Sequence, residues 1–338
     1  MPLKTALAFL FIVASGIPIS TLWAGEAQIY FKNSPPLAHL RPFSDPATLS
    51  LLVTAADGRP VTQGWLEIRL DAPKPSRFFS TDFPLVEGTR LLEMRLPLRE
   101  GRAEWKYLFP IRGEYEISVD FVTAQGKQAT RTFSLQVKEH QNKWTFLGIF
   151  TLALFATGVV AGRIFTRASR NAKDKVVACL LLSLVCSGPS AAVAAQEMHK
   201  EEYSGWLDVD PAIVGKPTRL HWRLSGNASG ARPPAALTLT ITHLEKNKIV
   251  FAVERLWVAG EFSMDFHFSD GAKYRVLASA EIPGHRPVRT ERYLSVSGVE
   301  PPVAAMLPAL FFFVGVIAVG LGVGRWSRTL TPPSKEER

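Results

Sequence analysis

Seven histidines and two cysteines are the residues of this 338-residue chain that could hold a metal or carry redox chemistry. His39, His140, His199, His221, His243, His267 and His285 are scattered, and none falls into His-x-His, His-x3-His or a cysteine pair, the spacings that bring two ligands to one ion. Met198-His199 offers a soft donor beside an imidazole, which suits copper, but a solvated linker would carry the same two residues. His221 and His267 alternate with apolar neighbours, so both rings are expected on the wetter face of a strand. Cys179 and Cys186 stand seven apart. On a helix they share a face at a separation of about 10 Å, too far for a disulfide. Val176-Val177-Ala178-Cys179 looks like a lipobox, yet Lys175 precedes it where a lipoprotein leader needs apolar residues. For hydrolysis there is no Gly-x-Ser-x-Gly elbow, and for nucleotides no glycine-rich phosphate loop. Asp208, Asp210 and Asp265 show no paired spacing and read as surface or turn carboxylates. The expectation is therefore no catalytic residue, no cofactor and no metal ligand.

The elements that would position any site are written twice. Leu3–Arg167 and Lys175–Arg328 each read as apolar leader, β-rich domain, membrane helix and basic end. Tyr107-Leu108-Phe109-Pro110-Ile111-Arg112-Gly113-Glu114-Tyr115 aligns with Phe266-His267-Phe268-Ser269-Asp270-Gly271-Ala272-Lys273-Tyr274. Gly158 and Gly162 correspond to Gly320 and Gly324 at the helix exits. Such Gly-x-x-x-Gly pairs let helix backbones approach closely, so these four glycines are the expected packing face between the first and third spans.

Thr5–Trp23, behind Lys4 and ahead of small residues, has the form of a signal peptide, with a retained anchor as the alternative. Trp144–Gly162, Val176–Ala195 and Pro301–Gly324 are uncharged and long enough to cross about 30 Å of hydrocarbon. Arg163, Arg167, Arg170, Lys173 and Lys175 lie between the first two, and Arg325 and Arg328 follow the third. Clusters of this kind mark the cytoplasmic side, which puts both β domains in the periplasm of a bacterial inner membrane. They also explain part of the net charge of +9, so no nucleic-acid partner is expected. No ionisable residue sits at mid-depth in a span, which argues against a transporter or pump. The segment 176–195 is itself signal-peptide-like: a charged start, Gly188-Pro189, then Ala-rich residues to Ala195. It is an ordinary span, or it is cut near Ala194–Gln196.

Between the membrane segments, period-two patterns describe half-buried strands. Leu49, Leu51 and Val53 share a face, as do Leu66, Ile68 and Leu70, and Leu220, Trp222 and Leu224. Met94, Leu96 and Leu98 form another strand, where Pro97 argues for a sheet edge. Ile249, Phe251 and Val253 are expected on one face. The whole reads as mainly β plus transmembrane α: two immunoglobulin-like antiparallel β-sandwiches with three membrane helices after a signal peptide. The boundaries are 1–27 (signal peptide), 28–143 (first sandwich), 144–165 (helix), 166–175 (basic loop), 176–195 (helix), 196–300 (second sandwich), 301–324 (helix) and 325–338 (tail).

Asp270-Gly271-Ala272-Lys273-Tyr274 resembles the Asp-x-Ala-x-Tyr stretch of immunoglobulin-type domains. That resemblance implies buried structural tyrosines at Tyr274 and Tyr115 whose hydroxyls bond nearby backbone. Val276 and Ile117 stand where those domains carry a cysteine, so no inter-sheet disulfide is implied. Asp57-Gly58-Arg59-Pro60-Val61 with the later Gly113-Glu114-Tyr115 strand is similar to bacterial membrane-anchored accessory domains of the FixH and YtkA type. The order soluble, span, span, soluble also resembles the copper-bearing periplasmic subunit of particulate methane monooxygenase, without its histidine pattern and with a span added. Phe78, Phe79 and Phe83, in a loop rich in Pro and Ser, are candidate partner-docking aromatics, or a loop tucked over the sandwich edge. The expected function is a non-catalytic accessory, assembly or scaffold subunit of a membrane or envelope complex. Its expected partners are the bilayer, other membrane or periplasmic proteins, and a second copy of the chain. A copper-delivery or redox-enzyme subunit is the alternative.

Overall fold

The computed structural model describes residues 27–76, 80–124, 126–168, 203–226, 233–300 and 303–329. The leader, the run 176–195, Phe78, Phe79, Met198 and His199 lie outside the described residues. The first repeat contributes β1 (Gln28–Ser34), β2 (Ala47–Thr54), β3 (Trp65–Asp71), β4 (Arg90–Pro97), β5 (Arg102–Tyr107), β6 (Gly113–Thr123), β7 (Gly126–Val137) and helix α1 (Gln141–Ala168). The second contributes β8 (Tyr203–Val209), β9 (Pro217–Gly226), β10 (Ala235–His243), β11 (Lys248–Val258), β12 (Glu261–His267), β13 (Lys273–Glu281), β14 (Val288–Ser295) and helix α2 (Val303–Thr329).

The strands form two seven-stranded antiparallel sheets, in the orders β1-β2-β5-β11-β10-β13-β14 and β7-β6-β3-β4-β12-β9-β8. Exchanging each strand for its counterpart in the other repeat turns one order into the other, so the chain carries a pseudo-twofold relation. The registers obey it. Ala47 opposite Tyr107 matches Thr218 opposite Phe266, and Leu49 opposite Trp105 matches Leu220 opposite Met264. Leu70 opposite Ile117 matches Ile241 opposite Val276. A contact between edges related in this way is self-complementary, like the interface of a twofold dimer, but here within one chain.

The sequence reading expected two sandwiches, each with its own pair of sheets. Instead each sheet runs through both repeats. At one seam Phe251 lies opposite Tyr107 and Ala252 opposite Lys106, and the Leu108 N–H donates to the Val250 carbonyl at 2.9 Å. At the other, Met264, Asp265 and Phe266 lie opposite Met94, Glu93 and Leu92. Edge backbone that would otherwise present open donors and acceptors is thereby paired. Between the sheets the aromatic core is continuous: the Phe266 ring is 6.4 Å from Tyr107, 6.0 Å from Phe251 and 5.0 Å from Phe268.

Three sequence expectations change. Pro97 sits where β4 is unpaired on one side, as expected, but β4 is not an edge strand throughout: β12 pairs with Leu92–Met94 and stops short of Pro97. Ile249 points outward although Phe251 and Val253 are buried. The β10–β11 register slips between Ile241 and Thr242, and the extra residue, Val250, resets the alternation. His267 is buried rather than on the wetter face, because the other repeat covers the end of its strand.

Candidate functional site

Chain direction sorts the loops. β7 and β14 both end where α1 and α2 begin, so the starts of β2, β4, β6, β9, β11 and β13 and the ends of β3, β5, β10 and β12 face the helices. That end carries His243, His267 and Asp270, while the buried carboxylate of Asp120 bonds Arg69, Lys127 and Thr130 nearer the far end.

Tyr115 and Tyr274 are both buried, each four residues after its partner. The Tyr115 hydroxyl donates to the Ile111 carbonyl at 2.6 Å and accepts from the Ile111 N–H at 3.0 Å. In the second repeat Asp270 stands at the equivalent place, and the Tyr274 hydroxyl donates to its carboxylate. His243, opposite Tyr274 on β10, brings Nε2 to 3.1 Å from Asp270, and the Lys246 ammonium donates to the same oxygen at 2.8 Å. By register the first repeat has buried Ala72 where the second has His243, so the cluster belongs to one repeat only. Burial alone would raise the Asp270 pKa; the bonds from Lys246, Tyr274 and His243 outweigh it and hold the carboxyl below its usual range. Burial, with the neighbouring carboxylate, pushes the Tyr274 phenol up.

Lys246 also ties the repeats together. Its ammonium lies 4.0 Å from the centre of the Phe43 ring and 5.7 Å from that of Phe83, and those two rings are 5.2 Å apart. Lys248 donates to the Phe43 carbonyl at 2.7 Å and to the Ser44 carbonyl. Of the three candidate docking aromatics, Phe83 is thus half-buried under the second repeat. On the other seam the His267 Nδ1 lies 3.1 Å from the Arg90 carbonyl and 3.2 Å from the Thr89 hydroxyl. Its buried Nε2 has no hydrogen-bond partner among the described residues. Burial lowers the His267 pKa, offset in part by the bond to Arg90. His221 is remote from His267 along the ladder and meets Glu261 at 3.4 Å. Among the described residues no group of three His, Cys, Asp or Glu could hold a metal ion.

At the junction with α1, Arg112 bonds Glu139 at 3.0 Å and lies 5.7 Å from the Trp144 ring, while Lys143 pairs with Asp82. These contacts fix the angle at which the helix leaves the sheet.

The stretches Gln141–Ile164 and Met306–Ser327 are long and apolar enough to cross a membrane by length and composition, and much of their apolar surface faces outward. The two helices run parallel: Phe150 meets Phe313, Gly158 meets Gly320, and Arg163 donates to Ser327, in the same order along both. A Cβ built on Gly158 would lie 2.6 Å from the Ile317 carbonyl oxygen, and one on Gly162 2.5 Å from that of Leu321. A Cβ on Gly320 would lie 2.5 Å from the Phe155 carbonyl oxygen, and one on Gly324 would strike the Val159 backbone. All four glycines are in the crossing, and none has room for a side chain.

No family model matches the chain, and no curated protein matches it. The resemblance to FixH- and YtkA-type domains therefore rests on the residues quoted for it. Solved structures are similar in fold. A mutant of Salmonella alpha-2-macroglobulin aligns with 81% of this chain and 15% of its own, at 10% identity and a TM-score of 0.24. The Escherichia coli adhesin FdeC aligns with 82% of this chain and 66% of its own, at 14% and 0.21. A two-domain fibronectin type III segment of chicken tenascin aligns with 80% of this chain and 99% of its own, at 10% and 0.19. The chain spans less than a sixth of the macroglobulins, and what is shared is the β-sandwich domain.

Proposed function

We propose that this chain is a non-catalytic, membrane-anchored accessory, assembly or scaffold subunit of a larger bacterial envelope complex, with its two repeats acting as one rigid periplasmic platform. The observation that supports the reading is the double seam. Two sheets shared by both repeats, above two helices whose crossing has no room for a side chain, resist movement of one repeat against the other. Such an arrangement holds partners at a fixed spacing from the membrane.

The same seam supports a topology for this reading. Both repeats lend strands to both sheets, so they occupy one side of any bilayer that α1 and α2 cross. α1 carries the chain away from the sheets, and β8 returns to them. On this reading the chain must return across the bilayer between α1 and β8, and 176–195 is the uncharged run of suitable length in that stretch of sequence. The reading therefore has three crossings, with the basic clusters that follow α1 and α2 assigned to the cytoplasmic side. The leader is removed on this reading. β1 opens at Gln28 on the end farthest from the helices. An uncut leader in the same bilayer would have to climb a sandwich on the order of 30 Å tall. From Trp23 to Gln28 the chain reaches at most about 17 Å.

Extraction from native membranes in mild detergent, followed by native mass spectrometry and metal analysis, tests the function. The expected result is a complex with another envelope protein at fixed stoichiometry and without stoichiometric metal. A chain that emerges alone, or with one copper per chain, overturns the reading.

A further inference from the structure

α1 and α2 leave an open groove on one side, with a volume of about 860 Å³. Trp144, Leu147 and Phe155 wall it on α1, and Phe311, Phe312 and Val319 on α2. Gly148 and Gly315 lie along it, and a Cβ on either would meet nothing within 4 Å. These two glycines differ from the four in the helix crossing: they open room for an incoming backbone. We propose that the groove seats this chain's own residues 176–195, completing a three-helix bundle. The proposal rests on the three-crossing reading and adds the place where the returning segment lies.

The length of chain between Ala168 and Tyr203 sets the depth of that segment. α1 descends about 40 Å from Gln141 to Ala168. Tyr203 lies opposite Gly226, at the end of β9 farthest from the helices, on the order of 30 Å above them. Residues 196–203, fully extended, cover at most about 27 Å of that height. Ala195 therefore lies no lower than about the level of Gln141, and the preference of the apolar run 176–195 for hydrocarbon keeps it near that level. Counting down a helix at about 1.5 Å per residue puts Cys186 level with Gly148 and Cys179 level with Phe155, each to within about one turn. Gly148 and Phe155 both line the groove and are seven apart, as the two cysteines are. On a helix Cys179, Ser183, Cys186 and Ser190 share one face, and these small residues let it settle against glycines. The opposite face, with Leu181 and Leu184, is left to lipid.

The natural cysteine supplies the test. In intact cells, Gly148→Cys in a Cys179→Ala background is oxidised to form a bond to Cys186. The expected product is an intramolecular crosslink that runs faster on a non-reducing gel. Phe146→Cys, placed away from the groove, stays uncrosslinked. Crosslinks that double the mass would give the groove to a second copy, and no crosslink would give it to lipid or another protein; either overturns the seating. Maleimide labelling of Arg170→Cys and Gln196→Cys, in a background without other cysteines, tests the crossing separately. Labelling from opposite sides without the crosslink leaves the crossing in place and removes the seating. Labelling from the same side removes both.

Discussion

Gly158 and Gly320 face each other where α1 and α2 cross: a Cβ built on either would lie 3.1 Å from the Cα of the other. The contact is reciprocal, and it falls at equivalent positions of the two repeats. The pseudo-twofold relation of the sheets thus continues into the helices. A duplication that once paired two copies through their sheet edges and their anchors would leave this pattern when fused into one chain.

Gly162→Leu and Gly324→Leu should each force the helices apart, because the new side chain meets the partner backbone rather than a movable side chain. Cysteine pairs at Phe150 and Phe313, whose rings are 5.4 Å apart, should crosslink readily in the parent and poorly in either leucine variant. Unchanged crosslinking would mean that the glycines do not set the approach.

Truncating either structural tyrosine to alanine should cost about 3–5 kcal/mol, as for other large buried aromatics. The phenylalanine variants should separate the repeats. Tyr115→Phe leaves the buried Ile111 N–H and carbonyl without their shared partner and should cost about 1–3 kcal/mol. Tyr274→Phe leaves Asp270 still bonded to Lys246 and His243 and should cost about 1 kcal/mol. Denaturant unfolding of both variants would check the order, and an equal or larger loss for Tyr274→Phe would contradict it.

His267 should make stability depend on pH. Its folded pKa is lowered, so the unfolded chain takes up the proton first, and stability falls as pH drops below about 6.5. His267→Leu gives the second repeat the residue that the first has at Leu108. Thermal melts at pH 7.5 and 5.5 should differ less in this variant than in the parent. An unchanged difference would assign the effect to other groups.

Much of the fold was legible because strands have a period of two. The inward positions of β2, β3 and β9 follow directly from alternating Leu, Ile, Val and Trp. The tyrosines and the four helix glycines stood out by recurring at matched positions. The seams did not, because an edge strand that pairs with the other repeat has the same alternation as one that ends a sheet. Pro97 therefore suggested an edge strand, and it does lie beyond the seam, but the second repeat covers the same strand at Leu92–Met94. Ile249 misled because a single inserted residue inverts the faces and leaves no mark in composition. His243 and His267 stand at strand ends, where alternation no longer tells inside from outside. Asp270 carried a readable signal, since it sits four residues before Tyr274, where the first repeat has Ile111.

The most direct test of a single periplasmic platform is a disulfide across the second seam. Glu93 and Asp265 lie directly opposite each other, a like-charged pair that Arg90 and Arg219 each neutralise from their own repeat. Opposed residues of an antiparallel ladder have Cα atoms about 4.5–5.5 Å apart, within the range a disulfide spans. With Cys179 and Cys186 replaced by alanine, Glu93→Cys and Asp265→Cys should form an intramolecular disulfide in growing cells without added oxidant. This requires both repeats to be in the oxidising compartment and joined through β4 and β12. Two free thiols, each still open to maleimide after extraction, would contradict the account.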